Sequence, residues 1–326
     1  MRTIHRIKQI LMNSFIGKNF DIYLERKIDW YLKNKLNFNT TPEFKKIFEV
    51  GYYDLFWHSS IRQGKKIIVK EIDNNMRINC YTDSHLCRNI FTNTFEETEL
   101  VFLKRFLRKG DVFVDIGANI GLYSILASSY VGKNGSVISF EPAPNTYKRL
   151  IRNIELNCIS NITAQKIAIS DSSDTLDLII SKDGYDAWNS LAKPAQGSVF
   201  ENVRVRCNTI DEIIKINSKF STAKLIKIDI EGWELRALKG GERFLKNENS
   251  PTIVIEFTEQ NATNAGTNCK ELYKYLNYLG YTLYEYDAIT SNLKFSEMRE
   301  CYPYENLIAV KNIEMVKERL CQIEIL

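Results

Sequence analysis

Residues 112–121, Val-Phe-Val-Asp-Ile-Gly-Ala-Asn-Ile-Gly, decide the fold of this chain. Val112, Phe113 and Val114 form an unbroken β-favouring apolar run, the pattern of a strand buried on both faces of a parallel sheet. The run ends on Asp115, and Gly117 and Gly121 remove side chains where a backbone turns sharply or lies against a ligand. A helix follows with Leu122, Ile125 and Leu126 on one face, and it stops around residues 132–135. A second apolar run, Ser136 to Phe140, ends on Glu141 and Pro142. Two strands joined through a helix, each closing on an acid, read as a βαβ unit with an adenosine-type cofactor site at its strand ends. A strand-turn-helix without a ligand is the plainer reading of the same residues.

The first loop position bears on which cofactor fits. A dinucleotide fingerprint is Gly-x-Gly-x-x-Gly, whose glycines bring the backbone up to a pyrophosphate. Here the pattern is Asp115-x-Gly117-x-Asn119-x-Gly121, with an acid in place of the first glycine. A carboxylate repels a pyrophosphate but accepts hydrogen bonds from an ammonium group. S-adenosylmethionine carries that ammonium, a sulfonium and no phosphate, so the residues favour it. The helix N-terminus would face its carboxylate. Glu141 would accept from both vicinal ribose hydroxyls.

Composition sets bounds on the rest. A chain of 326 residues is long enough for one large α/β core with a smaller part attached. A net charge of +4 implies no strong nucleic-acid or membrane field. Cys80, Cys87, Cys158, Cys207, Cys269, Cys301 and Cys321 are odd in number, scattered, and form no Cys-x-x-Cys pair. That pattern argues against a disulfide framework and for a reducing cytoplasm. His5, His58 and His85 are too few for a histidine-rich metal centre. No apolar run reaches membrane-spanning length. Near the N-terminus, Ile4, Ile7, Ile10 and Leu11 share a helical face, with Arg2, Arg6 and Lys8 elsewhere. Such a face packs more often on its own domain or in a homo-oligomer than on a membrane surface, and peripheral membrane contact is the rarer use.

Residues 1–90 read as mainly helical and aromatic-rich (Trp30, Tyr31, Tyr52, Tyr53, Phe56, Trp57), with a hairpin from Lys65 to Glu71 and Met76 to Tyr81. Residues 91–326 read as the main domain, with a soft boundary near 85–95. An amphipathic helix over 95–107 precedes the first core strand, and Glu96 at its head joins the cofactor set. After the second strand, a helix runs to about Asn157, and Ile162 to Ile169 reads as a third strand. The adenine would lie over its end, making Ala168 and Asp171 candidates for its edge; Asp171 is equally a turn former. Leu176 to Ile180 and Val203 to Cys207 read as strands around a polar loop carrying Trp188, Asn189, Ser190 and Leu191. That insertion is either a cover shaping an acceptor pocket or a surface hairpin.

A further apolar strand ends in Lys227-Ile-Asp229-Ile-Glu231-Gly232-Trp233-Glu234, which gathers acids at the same edge as Asp115 and Glu141. Asp229 reads as part of a site, whereas Glu234 reads as a helix N-terminal acid. Thr252 to Phe257 is a strand, Cys269 to Leu279 a helix, and Tyr281 to Tyr286 with Leu307 to Val310 a terminal antiparallel pair. The result is an α/β fold with a seven-stranded Rossmann-like sheet and helices on both faces.

The segment from about Phe95 to Lys311 resembles the FkbM family of S-adenosylmethionine-dependent methyltransferases. The residues that carry the likeness are Val114 to Gly121, Phe140-Glu141-Pro142, Asn153 with Asn157, Ser190-Leu191, and Lys227 to Gly232. The resemblance implies a class I methyltransferase fold, with the glycine loop holding the methionine part and Glu141 the ribose. It also implies methylation of hydroxyl oxygens on sugars, glycans or polyketides. After the fourth strand the chain has Asp229-Ile-Glu-Gly, not the Asn/Asp-Pro-Pro-aromatic turn of enzymes that methylate amino groups on nucleobases, so a nucleic-acid substrate is not expected.

The expectation is therefore an O-methyltransferase. Asp115, Gly117, Asn119, Gly121, Glu141, Glu96, Ala168 and Asp171 bind the cofactor, and Asp229 or Glu231 orients or deprotonates the acceptor. No metal ligand is assigned, although carboxylates here can hold a magnesium ion. The rival readings are a nicotinamide-dependent oxidoreductase, a methyltransferase acting on nitrogen or carbon, and a non-catalytic partner of a glycan-assembly enzyme.

Overall fold

A computed structural model describes residues 42–181 and 200–321. The amphipathic N-terminal segment, Trp30, Tyr31 and the loop carrying Trp188, Asn189, Ser190 and Leu191 lie outside the described residues. Two compact units divide the chain, one comprising residues up to Ile68 with Cys80–Phe95, the other Val69–Asn79 with Glu96 onward.

In the first unit, helix α1 (Pro42–Arg62) and helix α2 (His85–Phe91) are joined by side chains. Arg88 donates to Asp54 at 2.6 Å. Tyr53, Phe56 and Trp57 gather their rings around Phe91 at centroid distances of 5.5–5.7 Å. Strands β1 (Ile67–Glu71) and β2 (Arg77–Tyr81), most of whose residues belong to the second unit, form a two-stranded sheet.

The second unit begins with α3 (Glu97–Phe106), β3 (Val112–Ile116), α4 (Leu122–Val131), β4 (Ser136–Phe140), α5 (Pro144–Leu156) and β5 (Ile162–Gln165). There follow β6 (Ala168–Ile169), β7 (Thr175–Ser181), β8 (Phe200–Asn208), α6 (Ile210–Ile216), β9 (Leu225–Ile228), α7 (Glu234–Lys239) and α8 (Glu242–Leu245). The last elements are β10 (Thr252–Phe257), α9 (Glu259–Asn264), α10 (Cys269–Tyr278), β11 (Thr282–Asp287), β12 (Asn292–Phe295), β13 (Glu305–Val310) and α11 (Ile313–Cys321). The main sheet has the order β12-β11-β13-β10-β9-β3-β4-β5. From β5 to β10 the pairs are parallel; β13 runs antiparallel to both β10 and β11. Every residue of β9 and β10 is buried, so both sheet faces are covered, as the unbroken apolar runs require. This is the class I methyltransferase arrangement that the sequence predicts.

Two expectations are corrected. The sheet has eight strands rather than seven, because β12 pairs antiparallel with β11 at its edge. Its sequence, Asn-Leu-Lys-Phe, alternates polar and apolar over only four residues, three of them exposed, which is too short a run to stand out as a strand. The reading of Ile162 to Ile169 as one strand also fails. The chain leaves the main sheet after Gln165, and β6 pairs with β8 in a separate three-stranded sheet, Ala168 opposite Cys207. Apolar residues resume at Ile167, so the local pattern conceals a break that is set by the distant β8.

The strand order turns at β3, whose neighbours are β4 on one side and β9 on the other. Ligands of open α/β sheets bind outside the carboxyl ends of strands at such a point. Asn153, fully buried on α5, secures this edge. Its amide donates to the Ile120 carbonyl at 2.9 Å and accepts from the Asn79 N–H at 2.8 Å. Asn157 bonds both backbone groups of Arg77 at 2.7 Å.

Candidate functional site at the carboxyl edge of the sheet

The loop after β3 is shaped by close approach. Gly117 has φ +88°, and a Cβ there would overlap the Asp229 carbonyl, standing 2.9 Å from its carbon. Gly121 has φ +95°, and its Cβ would meet Leu150 Cδ1 at 2.5 Å. The two glycines are therefore required on backbone grounds, and Gly117 brings the loop directly onto the end of β9. Asn119 takes a left-handed φ of 48° between them. Its N–H donates to one Glu141 oxygen at 3.0 Å, while the Ala143 N–H donates to the other at 2.8 Å. These two bonds fix the Glu141 carboxylate at the loop.

Beneath the loop lies a buried ionic row. Asp115 and Lys227 are register partners on β3 and β9. Asp115 is 1 % exposed and accepts from Ser124 Oγ at 2.5 Å, while its Oδ1 has no hydrogen-bond partner. Burial raises its pKa to about 6 against the opposing pull of the Lys227 ammonium and Ser124. Lys227, 3 % exposed, reaches Asp229 Oδ2 at 2.5 Å and Glu96 Oε2 at 4.0 Å, with its ammonium 4.5 Å from the Tyr123 ring centroid. Burial alone would lower the Lys227 pKa, but Asp229, Glu96 and Asp115 together raise it, so the ammonium stays charged.

Glu96 caps α3 in a left-handed conformation, φ 40°. It accepts from Tyr123 Oη at 2.5 Å and from Tyr304 Oη at 2.9 Å. Tyr304 and Asn306 also line a cavity of about 360 Å³ with Glu99, Phe102 and Tyr286. Glu96, Asp115, Lys227 and Asp229 are not among the residues that line it.

After β9 the chain turns through Glu231 at φ 55° and Gly232 at φ 99°. A Cβ on Gly232 would stand 2.6 Å from the Asn261 carbonyl carbon. Asn261 Nδ2 donates to Glu231 Oε2 at 2.6 Å. Burial raises the Glu231 pKa well above the usual range, with Asp229 and Glu234 adding to it. Glu234 accepts the Ile230 and Gly232 N–H groups at 2.9 and 3.2 Å, which ties it to the turn rather than to an open site. Burial lifts its pKa to about 7. On β10, Glu256 is buried and accepts from Thr258 Oγ1 at 2.8 Å.

The sequence candidates fall into two groups. Asp115, Gly117, Asn119, Gly121, Glu141, Glu96, Asp229 and Glu231 meet at the one edge. Ala168 and Asp171 sit on or beside the three-stranded sheet, where Ala168 packs with Ala143, Leu178, Val205 and Cys207. Asp171 is bound by Arg236 at 3.2 Å. Sequence reasoning assigned no role to Lys227, Tyr123, Tyr304, Asn261 or Glu256. The signal available for Lys227 and Glu256 is a charge inside an otherwise apolar strand, a place where an unpaired charge is not tolerated.

The chain is 24% identical over 182 residues to the hexuronic acid methyltransferase AglP of Haloferax volcanii, covering 56% of this chain and 68% of that protein. It is 27% identical over 154 residues to methyltransferase sdnD of Sordaria araneosa, covering 39% of this chain and 59% of that protein. Among solved structures, TYW2 of M. jannaschii in complex with AdoMet aligns at a TM-score of 0.37 and 17% identity, over 75% of this chain and 85% of that one. An O-methyltransferase from Thermotoga maritima aligns at 0.37 and 12%, over 74% and 77%. Likenesses of that size carry no weight on ligand or substrate. The family of the methyltransferase FkbM domain matches residues 115–283, from Asp115 in β3 into β11 and over more than half of the sequence, and the chain belongs to that family.

Proposed function

We propose that this methyltransferase uses S-adenosylmethionine to methylate a hydroxyl oxygen of a sugar, glycan or related natural product. The observation that carries the reading is the seat of Gly117 on the Asp229 carbonyl, which sets the glycine loop and a site carboxylate on one sheet edge. The buried Asp115 Oδ1, with no donor, suits the ammonium of the cofactor better than it suits a pyrophosphate. The hydroxyl acceptor is supported by the likeness to a hexuronic acid methyltransferase.

S-adenosylmethionine, when bound, supplies an electrophilic methyl group on a sulfonium. The chain's residues bind and align. Glu141 is preset by two backbone N–H groups to accept from the ribose, and Asp115 and Asn119 flank the methionine part. Asp229, with its side chain 21% exposed and held by Lys227, takes the proton as the acceptor oxygen forms its new bond to carbon. A small-molecule or glycan acceptor in the cytoplasm fits seven scattered cysteines that form no Cys-x-x-Cys pair. No helix of the described residues is long and apolar enough to cross a membrane.

Calorimetry with S-adenosylmethionine and with NAD tests the cofactor. Binding of NAD alone would reject the reading, and binding of neither would favour a non-catalytic partner of a glycan-assembly enzyme. Asp229→Asn should retain cofactor affinity and lose most turnover; unchanged turnover removes Asp229 as the base.

A further inference from the structure

We propose that Asp229, Glu231 and Glu256 bind a hard divalent cation of the Mg²⁺ or Ca²⁺ class where β9 and β10 end. Each residue offers one carboxylate oxygen, and these three atoms lie within 4.8 Å of one another. Oxygens in one Ca²⁺ shell sit about 2.3–2.6 Å from the ion and so up to roughly 5 Å apart. The fold places them together by register. Ile255 pairs with Ile228, so the next step along each parallel strand puts Glu256 beside Asp229. Glu231 then comes back over the pair through the left-handed turn that Gly232 permits.

A separate observation points to a ligand rather than to a mere acid cluster. Glu256 is 4 % exposed, its Oε1 is held by Thr258, and its Oε2 is buried with no hydrogen-bond partner. A buried carboxylate oxygen without a donor is costly, and a cation supplies what the protein does not. The neighbouring groups orient the acids as outer donors do around metal ligands: Lys227 holds Asp229 Oδ2, and Asn261 Nδ2 holds Glu231 Oε2. An all-carboxylate set selects Mg²⁺, Ca²⁺ or Mn²⁺ over softer metals. Three protein oxygens leave at least about three positions on such an ion. On the methyl-transfer reading, on which this clause rests, an acceptor with two adjacent oxygen donors would fill two of them.

The test is calorimetric titration of the chelator-treated full chain with MgCl₂, CaCl₂ and MnCl₂, without cofactor or acceptor. One saturable site is expected. Glu256→Gln should weaken it at least about tenfold, since affinity follows ligand charge. Glu300→Gln, an exposed acid elsewhere, should leave it unchanged. If Glu256→Gln does not melt as a folded protein, Glu231→Gln takes its place. Absence of saturable binding for all three ions overturns the site, as does binding that survives both substitutions. S-adenosylmethionine is titrated into the same preparation, so the two readings fail separately: cofactor binding without ion binding rejects only the cation, and the converse rejects only the cofactor.

Discussion

Gly117→Ala separates a conformational cost from a steric one. Alanine at φ +88° occupies the left-handed region, which costs about 1–2 kcal/mol for an L-residue. The new Cβ also stands 2.9 Å from the Asp229 carbonyl carbon and 3.1 Å from Ile230 Cγ2. The Cβ also overlaps the Asp229 carbonyl oxygen outright, and non-bonded heavy atoms settle at about 3.5 Å, so the end of β9 must retreat by more than roughly 1 Å. Overpacking of this kind costs a further ~1–3 kcal/mol. Gly266→Ala is the control, because Gly266 has φ +79° in the same unit and nothing within 4 Å of its would-be Cβ. It should lose only the conformational part. Urea unfolding of both variants with one spectroscopic probe reads the difference, expected at about 1–3 kcal/mol. The retreat of β9 also moves Asp229 away from the loop, so S-adenosylmethionine should bind at least tenfold more weakly to Gly117→Ala and normally to Gly266→Ala. Equal stability losses in the two variants would refute the close-approach argument.

Other perturbations follow from the buried polar groups. Lys227→Met leaves Asp229 and Glu96 without their ammonium and should cost about 3–5 kcal/mol at pH 7, with the gap in urea midpoints narrowing as acid protonates the carboxylates. Glu234, with its pKa raised to about 7 by burial, holds its proton more tightly folded than unfolded, so stability falls as pH rises from about 4.5 to 7. Glu234→Gln keeps an oxygen for the Ile230 and Gly232 N–H groups; it should be more stable than the parent at pH 8 by up to about 3 kcal/mol and indistinguishable near pH 4, in melts across that range. Asn153→Ala strands the Ile120 carbonyl and the Asn79 N–H and should cost about 2–3 kcal/mol in urea unfolding.

Much of the site was legible because strand ends announce themselves. The runs closing on Asp115, Glu141 and Asp229 each change from apolar to acidic at one residue, and a parallel sheet delivers those ends to one edge. The extent of the third strand was misread for the opposite reason. Nothing between Gln165 and Ala168 shows that the chain changes sheets, since the pairing that draws it away comes from Cys207 and Asn208. Glu96 was placed in the set, yet its partners could not be named: Tyr304 lies 208 residues further along.

By itself the sequence determined the βαβ core, the glycine loop and the family, because hydrophobic period and glycine placement are local properties that each segment expresses alone. Tertiary structure alone decided where the charges go. Lys227 becomes the counter-ion of Asp229 and Glu96, and Glu256 reaches Asp229, because β9 lies between β3 and β10. A charge in a strand carries no mark of its partner, and only the order in which strands meet supplies one.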